Sequence, residues 1–411
     1  MAYKKPKGTV DFYPEDFKTK EFIFDSIRQQ AINYNFKEIE SPAFENLDLL
    51  TKKEGEEIKT QIFTLDKRGD EKFGLRFDLT VPTARLFIEK QKEMQKPVKW
   101  FTISRMWRYE KPQAGRLREF YQASFELFGS NKPEADAEII KLAIDCLTSL
   151  GLTKKDFFIK LNNRQLLEGL LQDIADKKNI PELIKIIDKK DKMTEEEFNS
   201  EVKKLKIDPV KINDILRSDI KDLKKLNQLA QQGFDELSSI LRLLKNKKEF
   251  IKIDLSTARG LAYYTGNVFE IFDTKQEYRA LAGGGRYDKM VELFGGQPTP
   301  ATGFAIGYAT LSLLLKDKGT IPKADLAPDY LIVTINEEVK EKAMEIADKL
   351  RKTNIVEIDL MQRNIGNQFK YAGSIKAKKV IILGPDELKQ DKVKIKDMKT
   401  GKEESVLISK L

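Results

Sequence analysis

Apolar positions in residues 17–34 recur at helical spacing, at Phe22, Phe24, Ile27, Ala31 and Tyr34, and predict an amphipathic helix. FKEIESPAF follows as a strand broken at Pro42, which has no N–H for a ladder and suits an edge or an interface. QIFTLDKRGDEKFGLRFDLT predicts a hairpin turning near Gly69 and ending with Arg76, Asp78 and Thr80 alternating to one side. Thr80 and Pro82 then open a helix through ARLFIEKQ. Residues 100–129 predict two strands joined by a basic loop, followed by a helix over 133–150 and the strand FFIKLNN. Between residues 164 and 248 the texture is helical and rich in lysine, with a capping box at Thr194 and Glu197 and a helix start at Asp208–Pro209. Strand character returns in FIKIDLSTARGLAYYTGNVFEIF, YRALAGGGRYDKMVELFGG and ATGFAIGYATLSLLL. KGTIPKADLAPD reads as a linker. Beyond it, alternating strands and helices predict a small α/β domain with a largely parallel sheet.

The stretch WFTISRMWRYEKPQAGRLREFYQASFELFG carries a charge pattern foreign to an ordinary hairpin. Strand alternation puts Arg108 and Glu110 on one face, with Trp107 and Tyr109 behind them. In the second strand Phe120, Gln122 and Glu126 share a face, backed by Tyr121, Ala123, Phe125 and Leu127. The apolar rear suits a core. The front gathers an arginine, two carboxylates, an amide and one ring, with Arg116 and Arg118 in the loop, which suits a site for a nucleotide and a small zwitterion. A solvated face laced with surface salt bridges is the alternative, and it leaves Phe120 among the charges unaccounted for. Asp78 reads equally as a plain carboxylate at a helix start or as a partner for a substrate ammonium. The run Gly283 to Gly285 allows a tight bend or a backbone close to a ligand.

Composition narrows the chemistry. With 411 residues the chain has length for two to three domains. Its 34% charged residues and net charge of +9 permit a polyanionic partner, although lysine is spread throughout the sequence. Cys146 is the only cysteine, which excludes internal disulfides and cysteine-cluster metal sites, and its amphipathic setting predicts a buried thiol. There is no histidine at all. Serine–histidine triads, histidine-ligated zinc and imidazole general bases are therefore excluded. No apolar run is long enough for a membrane span, and the first residues lack the apolar stretch of a signal peptide, so the expected location is the cytoplasm.

Several motifs, in order, carry a family resemblance over nearly the full length. RYEKPQAGRLREFYQASFELFG resembles motif 2 of the class II aminoacyl-tRNA synthetases, and RGLAYYTG resembles a signature of the histidine–tRNA ligases among them. RFDLTVP, AGGGRYD and LKQDKVKIKDMKTG are similar to further stretches of that family, with wording nearest its archaeal-type members. The resemblance implies an α+β fold: an antiparallel sheet flanked by helices in a catalytic domain split over residues 1–163 and 249–320. It also implies a helical insertion at 164–248 and an α/β anticodon-binding domain at 328–411. The activity implied is ATP-dependent ligation of L-histidine to tRNA(His) through a histidyl-adenylate, with Mg²⁺ accompanying ATP. A homodimer is implied as well, with Pro42 in the first motif at its interface.

Carried over residue by residue, the resemblance assigns Arg108 and Arg259 to the α-phosphate as the catalytic pair. It gives Glu110 to adenine, Phe120 to stacking on it, and Arg116 to the triphosphate and the arriving tRNA end. Asp78, Thr80 and Gln122 would hold the α-amino group, while Glu126, Tyr263, Tyr264 and Tyr287 would line the imidazole pocket. No protein metal ligand is implied. Two positions depart from the family pattern: Ala262 stands where an acid is usual, and Thr310 where the last motif commonly has an arginine for the γ-phosphate. That leaves Arg116, Arg118 and Mg²⁺ for the γ-phosphate. The attacking carboxylate is already ionised, so the chemistry asks for alignment and charge neutralisation rather than a histidine base. Two rival readings are a non-catalytic histidine sensor regulating a phosphoribosyltransferase and a pure RNA-binding or kinase-regulatory module. The arginines and the C-terminal domain argue against the first, the substrate pocket against the second.

Overall fold

The computed structural model describes residues 3–52, 60–66, 69–259 and 263–411. It divides into two compact units, Met1–Pro322 and Lys323–Leu411.

Among the described residues of the first unit lie ten strands: β1 Lys37–Glu38, β2 Phe44–Asn46, β3 Phe73–Leu75, β4 Val98–Trp107, β5 Glu119–Phe128, β6 Phe157–Asn163, β7 Ile251–Ile253, β8 Asn267–Asp273, β9 Ala282–Arg286 and β10 Ala301–Gly307. Eight of them form one sheet in the order β1-β4-β5-β10-β9-β8-β6-β7, while β2 and β3 pair separately. The ladders are antiparallel except at the two edges, where β1 runs parallel to β4 and β7 parallel to β6. Register across the central hairpin runs from Val98 opposite Phe128 to Trp107 opposite Glu119. The apolar rear of β5 packs as its alternation requires, with Ala123, Phe125 and Leu127 buried. Phe101, Phe125 and Phe304, from three adjacent strands, stack at centroid distances of 5.8 and 4.5 Å with their planes nearly parallel. Aromatic pairs of this kind contribute about 0.5–1.5 kcal/mol beyond their burial.

Helices Pro14–Asn33 and Pro133–Thr148 cover that rear face. Each starts with proline, whose missing N–H costs nothing in a first turn, and carries two acids there to complement the helix dipole. Cys146 lies fully buried in the second of them. A buried pair, Arg286 with Asp136, ties β9 to this helix at 2.7 Å. Residues 164–243 are helical, as their spacing indicates. Thr194 and Glu197 form the reciprocal capping box, and the Asp208 side chain caps a helix opened by Pro209. Helices Arg164–Gln172 and Gln228–Leu243 touch backbone to backbone at Gly169 and Gly233. A Cβ at either glycine would strike the main chain of the other helix. Leu166, Leu171, Leu237 and Ile240 from this pair share one core with Phe157 and Ile159 of the sheet.

The second unit holds β11 Tyr330–Thr334, β12 Val356–Ile358, β13 Lys379–Leu383, β14 Lys392–Asp397 and β15 Glu403–Leu407, in the order β12-β11-β13-β14-β15. The expectation of a largely parallel sheet holds for β12, β11 and β13 only; β14 and β15 are antiparallel. The connections before β14 and β15 are too short for the crossover of a dozen or more residues that a parallel strand needs. Among the described residues no helix is long and apolar enough to cross a membrane.

Candidate active site on the antiparallel sheet

Opposite the phenylalanine stack, the sheet carries a cavity of about 310 Å³. Its floor is three successive rungs of the ladder. On β5 the side chains facing it are Gln122, Ser124 and Glu126. Directly across from them, β10 presents Gly307, Ala305 and Gly303. One strand further, Gly283 and Gly285 of β9 lie opposite Ala305 and Gly303. Polar groups thus project from one strand over the nearly bare backbone of the next two. The bareness is required: a Cβ at Gly303 would collide with Tyr287 Oη, Glu126 Oε2 and the Phe125 carbonyl, and one at Gly283 with the Arg259 guanidinium.

Connecting segments bring in the walls. Asp78 precedes helix Thr80–Lys90, and its Oδ1 accepts from the Thr80 and Val81 amides at 2.6 and 3.3 Å. The helix-start and ligand readings of Asp78 are therefore compatible, since it caps the helix and lines the cavity. Arg108, just past β4, donates through Nε to the Phe77 carbonyl at 3.0 Å and lies 5.2 Å from the Phe120 ring centroid. Arg259 enters from the segment after β7 with φ of 49°, a left-handed conformation that costs a non-glycine residue of order 1 kcal/mol. Its Nη1 donates to Glu270 at 2.8 Å and its guanidinium sits beside the Tyr264 ring, 5.6 Å from the centroid. Tyr263, Tyr264 and Tyr287 pack edge to face or tilted, at 4.8–6.2 Å, as an aromatic wall.

The electrostatics are lopsided. Glu126 is buried, and Oε1 accepts from Ser124 at 3.3 Å, while Oε2 and the neighbouring Tyr287 Oη have no hydrogen-bond partner among the described residues. Burial, and then the charge of Asp78, push the Glu126 carboxyl well above the usual carboxylate range; the Thr80 and Ser124 hydroxyls oppose the shift only in part. Two buried polar atoms thus face the same space over Gly303 unsatisfied, a cost of about 1–3 kcal/mol each until something bonds to them.

Of the residues singled out in the sequence, Asp78, Thr80, Arg108, Gln122, Glu126, Arg259, Tyr263, Tyr264 and Tyr287 all line this one cavity. Glu110, Arg116 and Phe120 lie outside its lining. Glu110 and Arg116 form a close ion pair within the loop, and Phe120 flanks Arg108. Arg76 leaves the expected row with Asp78 and Thr80, because β3 ends at Leu75 and the chain is no longer a strand across that row. It is buried the other way, donating to the carbonyls of Arg105 and Pro42 and to Ser41 Oγ. Thr310 does not reach the cavity; its hydroxyl donates to the Gly115 carbonyl at 3.4 Å, at the tip of the loop. Ala262 falls outside the described residues. Ser124, Gln61, Glu270 and Gly303 also line or support the site. Ser124 was legible as the middle member of the Gln122–Glu126 face, and Glu270 as the lone acid in NVFEIF; Gln61 and Gly303 carry no such signal. Among the described residues no group of three or more acidic or cysteine side chains is placed to hold a metal ion.

A family model described as Histidyl-tRNA synthetase matches residues 8–311, and one described as Anticodon binding domain matches residues 329–411. The chain belongs to the histidyl-tRNA synthetase family. The histidine–tRNA ligase of Haloarcula marismortui is 38% identical to it, over 99% of this chain and 96% of that protein. That of Pyrococcus furiosus is also 38% identical, over 98% and 96% respectively. Both relatives are archaeal, in keeping with the wording of RFDLTVP and GLAYYTG. The crystal structure of histidyl-tRNA synthetase from Nostoc sp. superposes with a TM-score of 0.80 at 24% identity, covering 99% of this chain and 97% of that one, and shows the same fold.

The raised Glu126 carboxyl gives this synthetase a pH signature. A folded state that holds the proton more tightly than the unfolded state loses stability as pH rises from the ordinary carboxylate range through the raised value. Glu126→Gln removes that loss. Thermal melts of ligand-free protein are expected to show the variant gaining on the parent between pH 5 and pH 8, by about 1–2 °C per kcal/mol for a unit of this size. A difference that stays constant with pH would count against the unsatisfied carboxyl.

Proposed function

We propose that the cavity activates L-histidine with ATP and transfers it to tRNA(His), and that its residues divide the work as follows. Arg108 and Arg259 stand on either side of the reacting phosphorus. A histidine carboxylate oxygen attacks the α-phosphorus of ATP, the bond to the bridging oxygen breaks, and pyrophosphate leaves with the electron pair. The two guanidiniums neutralise charge building on the α-phosphate oxygens, and each is already pinned, by the Phe77 carbonyl and by Glu270, so little reorganisation is needed. Phe120, beside Arg108, gives adenine a stacking surface, with Glu110 at its edge and Arg116 or Arg118 toward the terminal phosphates. The terminal ribose hydroxyl of tRNA then attacks the acyl carbon, loses its proton and expels AMP.

The single observation that carries the amino-acid assignment is a pair of buried atoms without a partner among the described residues, Glu126 Oε2 and Tyr287 Oη, facing one space over Gly303. An imidazole offers an N–H and a second nitrogen at fixed separation and satisfies such a pair, with Tyr263 and Tyr264 against its ring. A site built on hydrogen bonds discriminates against analogues lacking them by far more than an apolar pocket does. Asp78 Oδ2, Thr80 and Gln122 then hold the α-ammonium. Mg²⁺ accompanying ATP would be carried mostly by the nucleotide rather than by protein side chains, and would supply charge neutralisation for the leaving pyrophosphate. The working form is a cytoplasmic homodimer, with the strand ends around Pro42 at its interface, and sedimentation of a fully active monomer would contradict that. Residues 1–163 and 249–320 serve catalysis, 164–248 form an insertion on it, and 328–411 read the anticodon.

ATP–pyrophosphate exchange that depends on histidine is the expected result; absence of exchange would leave a non-catalytic histidine binder. Arg259→Lys keeps the charge and loses the planar fork. It is expected to lower the exchange kcat by roughly 10- to 100-fold, about 1.4–2.7 kcal/mol, with the ATP KM little changed. A change confined to that KM would make Arg259 a ground-state binder instead. A chain ending at residue 322 should retain exchange and charge tRNA poorly, because unpaired anticodon bases are the part of RNA that proteins read by sequence. Unchanged tRNA affinity in that chain would refute the anticodon role.

A further inference from the structure

The segment before the first helix runs against the loop between β4 and β5. Pro6 to Thr9 make a tight turn in which the Pro6 carbonyl accepts from the Thr9 amide and hydroxyl, and Gly8 has φ of 85°. The Gly8 carbonyl accepts from the Arg118 and Glu119 amides at 2.8 and 3.2 Å. A Cβ on Gly8 would press on Arg118 Cγ at 2.8 Å and Pro112 Cγ at 3.0 Å, one atom from each limb of the loop. Only glycine fits this contact, and it fastens the segment to the loop. The loop itself closes by reciprocal backbone bonds between Gln113 and Arg116. It springs from Arg108 at one side of the cavity and touches Thr310, three residues beyond the cavity-lining Gly307, at the other.

Lys4 and Lys5 just before this turn and Lys7 within it are exposed, as is Lys111 on the loop, and fully exposed Tyr3 precedes them. No ion pair or hydrogen bond engages the side chains of Lys4, Lys5 or Lys7 among the described residues. The loop's own acid, Glu110, is taken by Arg116. The result is a strip of positive charge without an ion pair among the described residues, with an aromatic ring at its end, on a segment fastened to the loop that begins at the cavity-lining Arg108.

We propose that Lys4, Lys5 and Lys7 form a docking surface for the backbone phosphates of the tRNA acceptor end, guiding the 3′ terminus past Arg116 into the cavity. This rests on the synthetase reading above, since only that reaction requires a nucleic-acid end at this mouth. Lysines on such a strip act as point charges, contributing to affinity and its salt dependence rather than to sequence choice. Tyr3 offers an unpaired base a stacking face.

The test is the triple replacement of Lys4, Lys5 and Lys7 by glutamine in the full chain, where exposure of all three makes misfolding a minor concern. Histidine-dependent ATP–pyrophosphate exchange is expected to match the parent. In aminoacylation the KM for tRNA should rise roughly tenfold near physiological salt, and the slope of log affinity against log salt should flatten by about 2, the value for three lost phosphate contacts. An RNA minihelix carrying only the acceptor stem should suffer the same loss. Unchanged tRNA KM and salt slope would overturn the proposal, and so would a loss seen with whole tRNA but not with the minihelix, which places the contact elsewhere on the RNA. Absence of exchange in the parent enzyme would instead strike at the synthetase reading.

Discussion

Three adjacent rungs of sheet, furnished on one strand and bare on the next two, make room for everything else in the catalytic unit. Glycine inside a strand weakens it by roughly 0.5–1 kcal/mol per residue relative to alanine, and Gly283, Gly284, Gly285 and Gly303 gather at neighbouring rungs. The opposite face offsets that weakness, because the stacked rings of Phe101, Phe125 and Phe304 lock the same strands together from behind. The emptied face is where Arg259 can lie flat on Gly283 and where Glu126 and Tyr287 can approach the floor. Any side chain at Gly303 would occupy the space that two polar atoms leave unfilled.

The site holds its charges at a cost. Glu126 is buried beside Asp78 with an oxygen unmatched, and Arg259 sits in a strained backbone conformation. Such features persist only where surrounding structure over-determines them. Here the Asp136–Arg286 pair anchors the end of β9, Glu270 fixes Arg259 across the rung from Gly283, and Asp78 is immobilised by the helix it caps. The binding groups are thus oriented before a ligand arrives, which lets substrate contacts favour reaction rather than ordering of the protein.

Much of this was legible in the sequence. Helical spacing located the helices near Pro14–Asn33, Pro133–Thr148 and through residues 164–243, and the capping box at Thr194 was readable letter by letter. Alternation along residues 119–128 correctly separated the core face from the polar face, since the side-chain period of a strand is fixed by its pleat. That local rule placed Gln122 and Glu126 together without knowledge of any partner strand. It failed at Arg76, because β3 ends at Leu75 and no strand period runs from Arg76 to Thr80, and in the last sheet, where connection length set strand direction.

Local pattern cannot say which strands become neighbours, and the cavity is a property of neighbours. Gly303 and Glu126 are far apart in sequence and directly opposite in register. Gly283 reads as a weak turn signal until Arg259 is seen lying on it. The same holds for Gly8, whose missing side chain has meaning only against Arg118 and Pro112. By itself the sequence determined the elements, their buried faces and the residue types able to meet a nucleotide and an amino acid, because those follow from periodicity and side-chain chemistry. Only the tertiary structure decided which of those residues share one cavity and which polar atoms remain unmatched there, because strand pairing is set by long-range packing that no local window contains.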